Sequence, residues 1–221
     1  MDGTTLKTTY EPQREDSPNF QGGKPGNTLT VLFVGDNKRR IRCYNSGWVG
    51  SAHDDRIFKN SKLYRKWRSY FSNHEYIVSD SAFVPRTFNV PNYKAETGAT
   101  LDGTKERFNS VIGRLRVISE HINGMLKGRF PILTSIPCLI DETEGTFQTV
   151  LEIIDCCVIL HNFLTTMNLD DDYEYFFEPQ TPSIIRDRSG DLDVDDELNL
   201  LWEGNERRER LRAYLSETGT I

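Results

Sequence analysis

The stretch that most constrains the fold runs from Asn109 to Phe130, where apolar residues recur at helical spacing. On a helix, its apolar side chains share one side and form a core-facing stripe. That stripe comprises Phe108, Val111, Leu115, Ile118, Ile122 and Leu126. The opposite side carries Glu120 between the cations Arg116 and Lys127. The stretch therefore predicts a long helix whose polar side is either a solvated surface or part of a site.

Composition limits the classes of protein that this chain can belong to. It has 221 residues, 37% of them hydrophobic, and a formal charge of −6. An acidic chain argues against a protein whose whole surface binds nucleic acid, but it leaves room for a local basic groove. The sequence suggests no apolar run long enough to cross a membrane and no signal peptide. The spacing of the four cysteines fits neither a disulfide framework nor a zinc knuckle, which predicts reduced thiols in a nuclear or cytosolic protein.

The order of predicted elements indicates an α/β protein. The apolar, β-branched run Leu29–Val34 predicts a strand buried on both faces, and the alternating segment 39–44 predicts its hairpin partner. A helix is predicted over 53–71, a short strand over 75–79, a long loop over 85–104, and a buried helix over 148–163. Strands mixed with helices predict a mixed β-sheet flanked by helices.

The ends of the chain are predicted to differ from its core. Residues 1–27 are polar and rich in Gly and Pro, and no strand is predicted there. Residues 166–196 are predicted to form an acidic surface segment after a core domain over 1–165. Residues 197–221 are predicted to form a helix that docks on the core through Leu198, Leu201, Trp202, Leu211 and Leu215.

Three acids stand where predicted elements meet, namely Asp2, Asp80 and Glu120. Carboxylates at strand ends and on a facing helix can form an oxygen-rich site for Mg²⁺ or Mn²⁺. Two such ions can promote phosphodiester chemistry. A chain with 33 acids also produces such arrangements by chance, so the pattern alone is weak.

Five motifs resemble those of the Harbinger (PIF-type) DDE transposases and their domesticated nuclease relatives, in the same order along the chain. They are D-G-T at 2–4, G-S-A-H-D-D-R at 50–56, V-S-D-S-A-F at 78–83, R-x₃-E-x₆-K at 116–127 with G-R-F-P-I-L after it, and C-V-I-L-H-N-F at 157–163. Together they span roughly residues 1–165. Their combination and order are specific to this family.

The resemblance implies an RNase H-like fold with a DDE triad that holds two divalent metal ions. It carries the triad to Asp2, Asp80 and Glu120, with Asp54 as a competitor of Asp80 for the second place. It also implies auxiliary residues that orient an acid or bind phosphate: Asp54, His53, Arg116 and Lys127. His161 and Asn162 are predicted to make structural hydrogen bonds in the core.

The sequence also departs from the family pattern. Only Met1 precedes Asp2, so the first strand is predicted to be missing or incomplete, with Asp2 on a loose end. The N-terminal helix-turn-helix region of complete members is not present, which predicts an N-terminally truncated relative. Ala82 and Phe83 replace the usual Gly and Tyr.

Three hypotheses for the function follow. The first is a metal-dependent DNA endonuclease in the nucleus that hydrolyses or transfers phosphodiesters with a DDE triad and Mg²⁺ or Mn²⁺. The alternative is a catalytically inactive, domesticated or truncated relative that acts through protein partners, with a Myb-like protein supplying DNA recognition. The third, a hydrolase of small phosphates, is disfavoured because the sequence has no Gly-rich phosphate loop.

Overall fold

The computed structural model describes residues 1–22, 25–168 and 194–219. Their contacts divide the chain into two compact units. The sheet unit contains residues 2–53 and 118–168, and the helical unit contains Met1, residues 54–117 and the C-terminal helix. The predicted acidic segment 166–196 lies almost entirely outside the described residues.

The sheet unit is built on three antiparallel strands in the order β1-β2-β3. These are β1 (Asp2–Lys7), β2 (Thr28–Gly35) and β3 (Ile41–Val49). Nearly every residue of β2 is buried, as its continuous apolar run predicted. The predicted hairpin is also confirmed, since β2 and β3 pair across a turn in which Asp36 accepts hydrogen bonds from the backbone of Lys38 and Arg40.

The prediction that Asp2 lies on a loose end is wrong, because a paired strand begins at Asp2. Residues Asp2–Lys7 pair with β2 in continuous register, from Asp2 opposite Phe33 to Lys7 opposite Thr28. Asp2, Thr4 and Leu6 alternate as the buried side of this strand. Asp and Gly have weak β-propensity, so the sequence did not indicate this strand. Pairing with the buried β2 stabilises it despite that propensity.

Helix α5 (Glu144–Thr166) covers the sheet unit with one face. Its residues Val150, Ile154 and Val158 join the apolar core with Leu6, Val31 and other residues. The prediction that this helix is buried all round is wrong, because Ile159, Leu160 and Phe163 are 65%, 48% and 55% exposed.

The expectation that no apolar run is long enough to cross a membrane is wrong for helix α5. Within the described residues, its segment Gly145–Thr166 is long and apolar enough to cross a bilayer. The length and composition of α5 are weak evidence for a membrane span, because a core helix of a soluble protein can have the same length and composition.

The helical unit contains three short helices and a two-stranded parallel sheet. The helices are α1 (Asp54–Lys59), α2 (Lys62–Arg65) and α3 (Trp67–Tyr70). Strand β4 (Ile77–Ser79) pairs with β5 (Asn89–Pro91), which lies in the segment predicted to be a loop. That short strand was missed because Pro91 ends it and it contains only three residues.

Helix α4 (Gly103–Arg129) is the predicted long helix and belongs in part to each unit. Its buried residues include Phe108, Ile112 and Ile122, but Leu115 is 48% exposed and not core-facing as predicted. The prediction of one apolar stripe along the whole helix is wrong, because the two halves of α4 pack in different units.

Helix α6 (Val194–Glu217) packs in the helical unit. Leu211 and Leu215 contact a core cluster that includes Val90 and Phe108, as their predicted docking role requires. Leu198 and Trp202 were predicted to dock as well, yet they are 57% and 68% exposed. Leu200, between them, is buried instead.

Candidate functional site

Asp2 lies on β1 with its side chain buried, at 3% exposure. Its Oδ2 accepts a hydrogen bond from Nδ2 of Asn123 at 3.1 Å. Among the described residues, no donor reaches the buried Oδ1 of Asn123. A buried carboxylate and an amide oxygen without a donor are the kind of hard oxygen ligands that Mg²⁺ and Mn²⁺ prefer.

Glu120 lies on α4, three residues before Asn123, so the two side chains share one side of the helix. Glu120 is partly buried and belongs to the sheet unit, as Asp2 does. The structure thus places two of the three predicted acids in one unit. It also adds Asn123, which the sequence patterns did not indicate.

Lys127 connects the helix of Glu120 to the strand of Asp2. Its Nζ donates a hydrogen bond of 3.0 Å to the carbonyl of Thr5 on β1, and the residue is only 5% exposed. Burying a lysine is costly unless its ammonium is hydrogen-bonded. Losing the bond to Thr5 would leave the ammonium unsatisfied, so the contact favours the packing of α4 against β1. A role on phosphate stays a prediction for Lys127 and also for Arg116, which lies on the first half of α4 in the helical unit.

Asp80 lies directly after β4 in the helical unit. Its Oδ1 accepts a hydrogen bond from the backbone nitrogen of Ala82 at 2.9 Å, which closes a local turn. In the same unit, the N-terminal ammonium of Met1 donates a hydrogen bond to the carbonyl of Val78 on β4. The meeting of Asp80 with the other two acids stays a prediction.

A preformed metal cluster does not appear in the part of the chain that the structure describes. No group of three or more His, Cys, Asp or Glu side chains there is arranged to hold a metal ion. The argument for a hard cation therefore depends on the Asp2 carboxylate and Oδ1 of Asn123, which do not form a complete ligand set.

The G-S-A-H-D-D-R motif leads into helix α1, which begins at Asp54, within the predicted helical segment 53–71. Asp54 and Asp55 occupy its first turn, where negative charge is favourable. His53 is the last residue of the first segment of the sheet unit, and its predicted role on an acid or phosphate stays a prediction.

Asp55 of this motif, which the sequence patterns did not single out, joins α1 to a neighbouring segment. Its carboxylate accepts hydrogen bonds from both terminal nitrogens of Arg86, at 2.7 and 3.0 Å, and one from the backbone of Val84. Arg86 also donates to the hydroxyl of Tyr64 at 3.0 Å. Asp55 thereby ties α1 to the segment that follows Asp80.

Arg86 is completely buried, so its charge depends on this pairing. Burial alone would lower the pKa of Arg86, but the hydrogen bonds and the negative charge of Asp55 raise that pKa above its ordinary value. The aromatic rings of Phe58 and Tyr64 lie beside the guanidinium. Arg86 gave no sequence signal because a lone arginine in a proline-containing segment resembles a surface residue.

Comparison with known proteins identifies the family but no individual relative. A family model described as DDE superfamily endonuclease matches residues 1–162, which include all three predicted acids. No curated protein and no solved structure matches the chain significantly. The match covers well over half of the chain, and this protein therefore belongs to the DDE superfamily endonuclease family.

Proposed function

We propose that the protein cleaves DNA phosphodiester bonds, by hydrolysis or strand transfer, with Asp2, Asp80 and Glu120 as ligands of Mg²⁺ or Mn²⁺. The family match over residues 1–162 is the observation that carries this proposal. A nuclease domain implies DNA as the substrate. The proposal extends this coarser assignment to the Harbinger type, to an RNase H-like fold and to a specific triad.

The geometry within the sheet unit supports two of the three ligands. Asp2 is held by the amide of Asn123, which lies one turn along α4 from Glu120. Lys127 fixes the same helix to the strand of Asp2 through the Thr5 carbonyl. These contacts hold the Asp2 carboxylate and helix α4 in place before any ion binds, and a metal site requires such support from the residues around its ligands.

When bound, divalent cations would activate the attacking oxygen and stabilise the charge on the leaving oxygen. The chain's own residues have supporting roles in this proposal. Arg116 is proposed to bind a phosphate oxygen. His53 and Asp54 are proposed to orient neighbouring groups at the start of α1.

The test is metal-dependent nicking of supercoiled plasmid by the wild-type protein and by Glu120→Gln. The variant keeps the size of the side chain and removes its charge, so nicking is expected to fall by at least about a hundredfold. Glu106→Gln is the matched control, because Glu106 is an exposed acid in the first turn of the same helix. Equal nicking by wild type and Glu120→Gln, with Glu106→Gln also active, would show that Glu120 is no ligand.

A second candidate function is favoured by the lack of a three-residue metal cluster in the described chain. In this alternative the protein is a catalytically inactive relative that acts through protein contacts. A Myb-like DNA-binding partner and a nuclear location stay predictions for both candidates. Thermal stabilisation by Mn²⁺ that is lost in Glu120→Gln supports the first candidate, and stability that is indifferent to Mn²⁺ supports the second.

A further inference from the structure

The helical unit carries a strongly basic segment in an acidic protein. Between Arg56 and His74 the sequence has six lysines and arginines and no acidic residue, whereas the whole chain has a formal charge of −6. The six cations are Arg56, Lys59, Lys62, Arg65, Lys66 and Arg68. The concentration of positive charge in one segment points to an anionic partner.

The helices that carry these cations share one support. Phe58 of α1 and Tyr64 of α2 are buried and contact each other at a ring distance of 5.4 Å. Phe88 contacts both rings, at 5.9 and 5.6 Å, and Trp67 of α3 stacks on Phe88 at 5.0 Å. The three helices therefore turn their inner sides toward one aromatic cluster, and their charged residues lie on the outside of it.

Five of the six cations are exposed, namely Arg56, Lys62, Arg65, Lys66 and Arg68. The sixth, Lys59, forms an ion pair with Glu197 and is not part of the proposed surface. We define the exposed five as the basic surface. These residues place solvated positive charge on neighbouring short helices. Clustered lysines and arginines of this kind can neutralise the phosphates of a nucleic acid.

Aromatic residues accompany the cations. The guanidinium of Arg68 lies 4.7 Å from the centre of the Trp67 ring, which reduces the freedom of its side chain. Tyr70, at the end of α3, is 49% exposed. Ser61 caps α2 by accepting a hydrogen bond from Tyr64, so the helix that carries Lys62 and Arg65 has a defined start.

We infer that the basic surface on α1–α3 binds the phosphate backbone of double-stranded DNA. The inference rests on the proposed function, because the endonuclease family supplies the reason to prefer DNA over another polyanion. Backbone contacts of this kind position the duplex but do not read its sequence. The surface thus provides an anchor for DNA that is distinct in residues from the three predicted acids.

The experiment measures binding of a fluorescent 30-base-pair duplex by anisotropy in EDTA, over a range of salt concentrations. The test variant is the quadruple change Lys62→Gln, Arg65→Gln, Lys66→Gln and Arg68→Gln. The matched control removes four exposed cations of the same unit: Lys94→Gln, Arg107→Gln, Arg114→Gln and Arg210→Gln. Both variants lower the net charge by the same amount, and equal melting temperatures show that both are folded.

The expected result is that the test variant loses about tenfold or more in affinity at low salt, while the control loses much less. Each phosphate contact contributes about −0.9 to the slope of log affinity against log salt for duplex DNA, so the slope should flatten by about 3 to 4. An equal loss in both variants would overturn the inference, because it would reflect net charge alone. Stronger competition by single-stranded RNA or by polyglutamate than by unlabelled duplex would also overturn it, in favour of an RNA or an acidic protein.

This outcome is separable from that of the proposed function. Binding is measured in EDTA, so cleavage does not contribute to it. Metal-dependent nicking together with unchanged binding by the test variant would refute the basic surface alone. Binding that depends on the basic surface, without nicking at any metal concentration, would refute the proposed activity alone.

Discussion

The guanidinium of Arg86 donates two hydrogen bonds to the two carboxylate oxygens of Asp55, at 2.7 and 3.0 Å, with Arg86 fully buried. This bidentate pair connects the first turn of α1 to the segment between Asp80 and β5. A charge buried to this extent is tolerated because its partner and the Tyr64 hydroxyl satisfy its donors. Removing one member would leave the other charged and unpaired.

We therefore expect Arg86→Met to lower the free energy of unfolding by about 3–5 kcal/mol, as measured by urea denaturation. The double variant with Asp55→Leu should lose less than the sum of the two single changes, because both charges are then removed. Arg40→Gln is the control, since the Arg40–Asp36 pair is partly solvated and should be worth about 1 kcal/mol or less. A loss of only about 1 kcal/mol for Arg86→Met would show that the Arg86–Asp55 pair does not stabilise the fold.

Gly204 on α6 lies against the backbone of Arg86, where an added Cβ would come within 2.4 Å of the Arg86 Cα. We expect Gly204→Ala to destabilise the protein by about 1–3 kcal/mol, because backbone atoms must move to admit the methyl group. Gly113→Ala on α4 is the control, since a Cβ there meets nothing within 4 Å. That change should instead stabilise the helix by about 0.5–1 kcal/mol. Stabilisation by both changes would show that α6 does not pack closely at Gly204.

His161 on α5 provides a pH-dependent contribution to stability. Burial lowers the pKa of His161 below its ordinary value of 6.5, although its hydrogen bond of 3.0 Å with the carbonyl of Arg39 partly opposes this. The folded state therefore holds the imidazole neutral, and its contribution is fully present above pH 6.5 and lost as the pH falls below that value. The difference in free energy of unfolding between wild type and His161→Gln should shrink on acidification. A difference that is constant across this range would contradict a buried neutral His161.

Tyr44 provides the opposite dependence at alkaline pH. Burial, followed by a hydrogen bond of 2.8 Å to Asp155, raises the pKa of Tyr44 from 10.0 to about 12. The folded state holds this proton more tightly than the unfolded state, so the contribution is fully present below pH 10 and lost as the pH approaches 12. The stability difference between wild type and Tyr44→Phe should decrease over that range. Titration of Tyr44 near pH 10, followed by tyrosinate absorbance, would refute the contact.

Local sequence patterns were sufficient for the elements with strong periodicity. The buried strand β2, its hairpin with β3 and the long helix α4 were all predicted. The structural roles of His161 and Asn162 were predicted too, and Asn162 makes paired hydrogen bonds of 2.8 Å with the backbone of Ile41. The strands and helices depend on residues close together in the chain or on one dominant apolar run, whereas the bonds of Asn162 to Ile41 join residues far apart in the sequence.

Motif order and hydrophobic periodicity are local properties of the chain, so they were enough to indicate the family and the α/β class and to nominate the three candidate acids. The folded structure was needed to show that Asp2 lies on a paired strand, that Lys127 is buried against Thr5, and that Asp55 pairs with Arg86. Each of these depends on a partner far away in sequence. Strand pairing and charge burial are stabilised by such distant partners, so no local pattern could have revealed them.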